Sequence, residues 1–264
     1  MKHRISTSLF ATAALVVSLS VAAPARAATI QLGFLLDSSG SIGAGNWGII
    51  TAGLANAITA NIPIGGPDIY EVSVVTFSSG TQTVVNHSLL NSNAAKAAAA
   101  AAVAAAPFLD ENTNYEAGFQ ALQTALTSSP NFSAGGLSYV NFATDGAPNE
   151  PGGSTAAATL AGIAARDALI AAGIDNISIE GIAIGAAGAM LLQNSFCYPQ
   201  ACDTTSPFNF PGQGFYIGVD DAQGYADAIG NKIQTVTTPV PEPTSMLLLG
   251  GGLLLAGNRL RRRT

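Results

Sequence analysis

Two periodicities exchange regularly along this chain, and that exchange restricts its fold more than any other feature. Short apolar or β-branched runs cover Ala28 to Leu36, Tyr70 to Phe77, Thr81 to Ser88, Ser138 to Thr144, Ile177 to Ile184 and Phe215 to Val219. Between them lie segments with helical patterning: Trp47 to Ala60, residues 94 to 106, Tyr115 to Leu126, Thr155 to Ala172 and Ala222 to Ile233. Strand alternating with helix at this spacing predicts an α/β fold, with a doubly wound, mostly parallel six-stranded sheet covered by helices on both faces. Ser79-Gly80 joins the second and third runs closely enough for a hairpin at the sheet edge. The stretch "AAKAAAAAAVAAA" at 94 to 106 reads as a thin helix, because alanine is the best helix former. Asn91 or Asn93 is its expected cap, and Pro107 ends it. Asp220 or Asp221 caps the last helix.

Composition supports a packed domain. Hydrophobic residues make up 48% and charged residues 10%, too little charge for a disordered chain. The charge is also unevenly placed. Between residues 28 and 243 only Lys96, Arg166 and Lys232 are basic, against all 16 acids. Such a body repels phosphate backbones, which argues against nucleic acid as a partner, and it attracts divalent cations.

The two ends read as addresses. Residues 1–27 have a basic start, an apolar middle and Ala25-Arg26-Ala27, the pattern of a secretory signal peptide cut after Ala27. From about Thr237 the chain turns proline-rich, so the expected division is 1–27 signal, 28–236 folded domain and 237–264 linker and tail. The tail carries Pro241-Glu242-Pro243, an apolar stretch from Met246 to Gly257, and then Arg259, Arg261, Arg262 and Arg263. These three parts in this order resemble the PEP-CTERM sorting signal of Gram-negative bacteria. The resemblance implies an exosortase as partner, contact with the membrane through the apolar helix, removal of the tail, and a mature protein at the cell surface or in an extracellular matrix. A plain C-terminal anchor is the alternative. Either way the body lies outside the cytoplasm, where Cys197 and Cys202 in "CYPQAC" can form a local disulfide, free thiols being the alternative.

Two of the strand-like runs end in acid: Leu36 leads into Asp37, and Thr144 into Asp145. In open parallel sheets, ligands collect outside the carboxyl ends of the strands. If the first and fourth strands are neighbours, Asp37 and Asp145 meet at one edge, and the loop carrying Thr113 reaches it too. Ser39 and Ser41 alternate with Asp37, and Gly40 and Gly43 give their loop the freedom to turn sharply. Two carboxylates with the hydroxyls of Ser39, Ser41 and Thr113 form a hard oxygen set. It suits Mg²⁺ first, with Ca²⁺ or Mn²⁺ as alternatives, rather than zinc or copper.

This constellation resembles the von Willebrand factor A (vWA) domain and its metal-ion-dependent adhesion site (MIDAS). The family's Asp-x-Ser-x-Ser stands as Asp37-Ser38-Ser39-Gly40-Ser41, its threonine as Thr113, and its later aspartate as Asp145 within Thr144-Asp145-Gly146. The resemblance implies metal-dependent binding of a protein or polysaccharide ligand through an acidic group that completes the ion's coordination. One departure stands out. The family's threonine loop often has glycines before the threonine, and here Glu111 and Asn112 occupy those places.

The residues give little support to an enzyme. His87 is the body's one histidine and sits on an expected edge strand, and no Gly-x-Ser-x-Gly surrounds Ser39 or Ser41. Ser39 stands where an aspartyl-phosphate enzyme would carry a second aspartate. No Gly-x-x-x-x-Gly-Lys loop is present. A binding module without covalent chemistry is the expectation. A matrix protein whose metal only stabilises the fold, a metal-dependent hydrolase, and a metal-free scaffold with a degenerate site are the alternatives. Trp47 is expected in the core rather than at a ligand.

Overall fold

The structure is a computed structural model, and it describes residues 29–133, 136–199 and 201–238. The signal peptide and the apolar tail helix expected from the sequence fall outside the described residues. The elements run β1 (Thr29–Asp37), α1 (Ala44–Asn61), β2 (Ile69–Phe77), β3 (Thr81–Leu89), α2 (Asn93–Ala104) and α3 (Tyr115–Thr127). They continue with β4 (Leu137–Thr144), α4 (Thr155–Ala171), β5 (Asn176–Ile182), α5 (Ala186–Ser195), β6 (Tyr216–Val219) and α6 (Ala222–Thr237). The sheet has six strands in the order β3-β2-β1-β4-β5-β6. Only the β2–β3 pair is antiparallel. The expected α/β architecture, the edge hairpin and the β1–β4 pairing are therefore all present.

Strand alternation splits β1 between two cores. Ile30, Leu32, Phe34 and Leu36 face α1, α2 and α6. Leu35 faces the opposite layer with Phe77, Phe119, Leu122 and Phe142. Both faces are buried, so β1 reads as a nearly continuous apolar run rather than an alternating one. On the second face, glycine allows a close approach. A Cβ on Gly118 of α3 would stand 2.9 Å from Phe77 Cγ and 3.3 Å from Leu35 Cδ1. That contact sets α3, and the loop leading into it, directly against β1 and β2.

Two local details, the cap of α2 and the presence of α5, differ from the sequence expectation, and the cap of α6 matches it. The alanine helix is capped by Ser92, whose hydroxyl accepts from the Ala95 N–H. Asp221, one of two candidates, caps α6 through the Gly224 N–H. Helix α5 carries no clear sequence signal: its first turn is Ala-Ala-Gly-Ala, and it buries only Leu192. Trp47 is in the core, 4% exposed, with its indole N–H donating to Ala106 O at 2.8 Å. Cys197 and Cys202 are bonded, with their Cα atoms 5.2 Å apart. No helix among the described residues is long and apolar enough to cross a membrane.

Candidate metal centre

Asp37 is the last residue of β1 and Thr144 the last of β4, and the two strands are parallel neighbours. This register brings both strand ends, with Asp145 following, to one sheet edge. There a line of hydrogen bonds joins residues far apart in the chain. The Ser39 N–H donates to Asp37 Oδ1 at 2.9 Å, and the Ser39 and Ser41 hydroxyls lie 3.1 Å apart. Ser41 Oγ donates to Asp145 Oδ1 at 2.8 Å. Thus Asp37, Ser39, Ser41 and Asp145 form one contiguous polar cluster.

Thr113 arrives on a separate loop, and main-chain bonds lay that loop along the serines. The Gly40 N–H donates to Glu111 O at 2.8 Å, and the Asp110 N–H to Ser38 O at 3.1 Å. The Leu109 N–H donates to Ser38 Oγ at 2.9 Å. Thr113 itself is 5% exposed, and its N–H donates to Asn149 Oδ1 at 2.9 Å. Its carbonyl accepts from the N–H groups of Asn149 and Glu150. The loop makes its turn without glycine. Asp110 takes φ +55, a left-handed conformation that aspartate tolerates better than most residues. Glu111 folds its carboxylate back toward Ser78 Oγ, 3.1 Å away.

Three supporting residues escaped the sequence reading. The Thr144 hydroxyl donates to Asp37 Oδ2 at 2.6 Å and so orients the carboxylate. Tyr115 is fully buried, lies 3.1 Å from Thr144 Oγ1 and donates to Gly146 O, tying the Asp145 loop to α3. Asn149 holds Thr113 from outside. Thr144 stood in plain view beside Asp145, but its orientation toward Asp37 depends on strand pairing. Tyr115 was visible in the sequence only as the start of a helical segment.

The electrostatics favour a cation. Asp37 is raised to about 6, chiefly by burial and slightly by the charge of Asp145, against hydrogen bonds from Ser39 and Thr144 that lower it. Asp145 is also raised, first by burial. No basic side chain offsets the pair: Lys96, Arg166 and Lys232, the basic residues of the described chain, are engaged elsewhere. Two carboxylates that repel each other, among hydroxyl oxygens and with no protein counter-charge, suit a hard divalent ion. Asp37, Ser39, Ser41, Thr113 and Asp145 are the residues that would hold it. The ion would supply Lewis-acid attraction for an outside oxygen.

The comparisons agree with this reading of the fold. Residues 31–195 match the von Willebrand factor type A domain model, and residues 239–263 match the PEP-CTERM protein-sorting motif. No curated protein matches the chain in sequence. Among solved structures, the pilus adhesin SpaC from Lactobacillus rhamnosus GG is 15% identical with a TM-score of 0.58, over 79% of this chain and 30% of its own. Proximal thread matrix protein 1 from the mussel byssus, in a form with a zinc-occupied MIDAS motif, is 12% identical with a TM-score of 0.56, over 80% of this chain and 48% of its own. The PilB minor pilin from Streptococcus sanguinis is 14% identical with a TM-score of 0.55, over 79% of this chain and 62% of its own. The chain thus spans less than two thirds of each of these proteins, and at such identity the likeness is one of fold. With the family model covering more than half of its length, the chain belongs to the von Willebrand factor type A domain family.

Proposed function

We propose that this is an exported binding protein of the cell surface or extracellular matrix. It engages an acidic group of its ligand through a divalent cation, Mg²⁺ by preference, held by Asp37, Ser39, Ser41, Thr113 and Asp145. The observation that carries this reading is the hydrogen-bonded line from Asp37 through Ser39 and Ser41 to Asp145, with the Thr113 loop bonded alongside. Ser41 is exposed and Asp145 half-exposed, so the ion would face solvent on that side and keep a position for an outside oxygen. The cluster contains no histidine, and we assign it no covalent chemistry.

In this reading, residues 1–27 direct export and are removed. Residues 28–236 form the binding domain. Residues 237–264 form the sorting tail, through which the protein meets the membrane and an exosortase. The PEP-CTERM match at 239–263 and the extracytoplasmic chemistry of the Cys197–Cys202 bond support this placement.

Calorimetry with Mg²⁺, followed by capture on extracellular matrix with and without chelator, tests the function. Asp37→Ala is expected to abolish Mg²⁺ binding and capture while leaving the circular dichroism of the domain unchanged. If chelation lowers thermal stability but leaves capture intact, the ion is structural and the adhesive function is wrong.

A further inference from the structure

Among the described residues, the two lysines are buried and the one arginine is mostly covered. Lys96 is 7% exposed, and its ammonium donates to Ile62 O at 2.6 Å. Lys232 is 3% exposed, with its ammonium 3.0 Å from Glu180 Oε2 and 2.8 Å from Asn141 Oδ1. Arg166 has a side chain only 15% exposed and spends its charge on Asp167 at 2.5 Å. These three are the Lys and Arg residues of the described chain. The surface of the described residues therefore offers a ligand many carboxylates and little lysine or arginine to balance them.

The same imbalance is concentrated where the ligand would dock. The loops that carry the metal donors also carry Asp110 and Glu111, both exposed, and Glu150, half-exposed. Asp110 lies against Gly40, with its Oδ1 3.2 Å from the point a Cβ there would occupy. The Glu150 carboxylate accepts from Asn112 Nδ2 at 2.7 Å. Beside Thr113 a shallow cleft of about 580 Å³ opens, lined by Asn112, Asn114, Asn149 and Glu150. A divalent ion offsets Asp37 and Asp145, and the three rim carboxylates remain. A ligand acid moving toward the ion meets the negative field of these neighbouring loops. None of the large hydrophobic side chains that the domain exposes (Ile49, Ile64, Leu137, Leu160 and Met190) belongs to these loops, so the attraction there is electrostatic and polar.

Resting on the metal reading above, we propose that the ligand is a polypeptide surface whose coordinating carboxylate is flanked by lysine or arginine, and not a polyanionic polysaccharide. The carboxylate completes the ion's coordination. A flanking ammonium or guanidinium enters the amide-lined cleft and pairs with Glu150, while Asp110 and Glu111 attract its neighbours. A chain of uronic acids brings a coordinating group too, but each further carboxylate meets the rim with like charge.

The test passes the full chain, in Mg²⁺, over three immobilised probes. One is a peptide with a glutamate between lysines, one is the same peptide with glutamines for lysines, and one is an oligogalacturonate. At low salt the lysine peptide is expected to bind about tenfold tighter than the glutamine peptide, through a faster on-rate. The advantage should shrink toward about twofold near 0.5 M salt. Combining Asp110→Asn with Glu150→Gln should reduce the low-salt advantage by about threefold. Equal binding of the two peptides, no binding of either, or tighter binding of oligogalacturonate overturns the proposal. The chelator arm separates it from the metal reading. Binding and preference both lost in EDTA uphold the two together. A lysine preference that survives EDTA upholds the charge selection and removes the ion from it.

Discussion

Asp37 is caught between two demands. Strand β1 delivers its carboxylate into a buried edge, where an uncompensated negative charge is costly, and a metal ligand must carry that charge. Burial raises it from 3.8 to about 6, so in the absence of metal the folded state holds a proton that the unfolded state has released. The sign follows from linkage. Where the folded pKa is raised, the stabilising contribution is fully present below 3.8 and lost as pH climbs through about 6. In chelator, denaturation should show Asp37's contribution falling by about 3 kcal/mol across that window. In saturating Mg²⁺ the dependence should reverse, because the ion takes the proton's place above pH 6 and is released on acidification. A chelated domain that gains no stability on acidification through this window contradicts the assignment.

Tyr115 tests the support beneath Asp37 and Asp145. Tyr115→Phe removes the hydroxyl bonded to Gly146 O and adjacent to Thr144, leaving Gly146 O only the longer contact to Thr144 Oγ1 at 3.2 Å. The variant should lose about 1–2 kcal/mol in urea unfolding. Its Mg²⁺ affinity should fall as the Asp145 loop loosens, whereas a substitution with only a packing effect would leave affinity unchanged. That Asp37, Ser39, Ser41 and Asp145 meet at one sheet edge was legible, because two strand-like runs end in acid and the serines follow the first of them directly. Thr144, Tyr115 and Asn149 were not, since each acquires its role from a partner at least 29 residues away in the chain: Asp37, Thr144 and Thr113.

Among the elements, the strands and long helices followed from their periodicities. The failures have physical causes. Helix α5 has a glycine in its first turns and one buried side chain, so it presents no apolar stripe to read. The alanine helix was found, but its cap was misplaced among several eligible residues between Asn91 and Asn93. Helix α6 hid a further feature. Lys232 lies beneath it, paired with Glu180 of β5, its ammonium 5.1 Å from the centre of the Phe215 ring. The sequence showed it only as one of the three basic residues of the body. Lys232→Met leaves Glu180, 0% exposed, without its counter-charge. Urea denaturation at neutral pH should show a loss of about 3–5 kcal/mol. Burial already raises Glu180, so acidification, which protonates it, should restore part of that loss. Adding Glu180→Gln to Lys232→Met should be milder than the single change, and a double variant as unstable as the single one contradicts the pairing.

At the scale of the whole molecule, the domain keeps its few cations inside and its carboxylates outside, and it brings two of those carboxylates together at the sheet edge. In the proposed function, such a chain would draw ions from its surroundings both to complete its site and to moderate its surface charge. The sorting motif at 239–263 and the Cys197–Cys202 bond fit a life outside the cytoplasm, where divalent cations are supplied by the medium. The central claim is that five oxygen-bearing side chains at the ends of β1 and β4 and in the Thr113 loop hold one hard ion. Anomalous diffraction from crystals grown in Mn²⁺ tests it most directly. The account predicts a single strong peak bounded by Asp37, Ser39, Ser41, Thr113 and Asp145. A folded domain with the same sheet and no anomalous peak at that edge would contradict it.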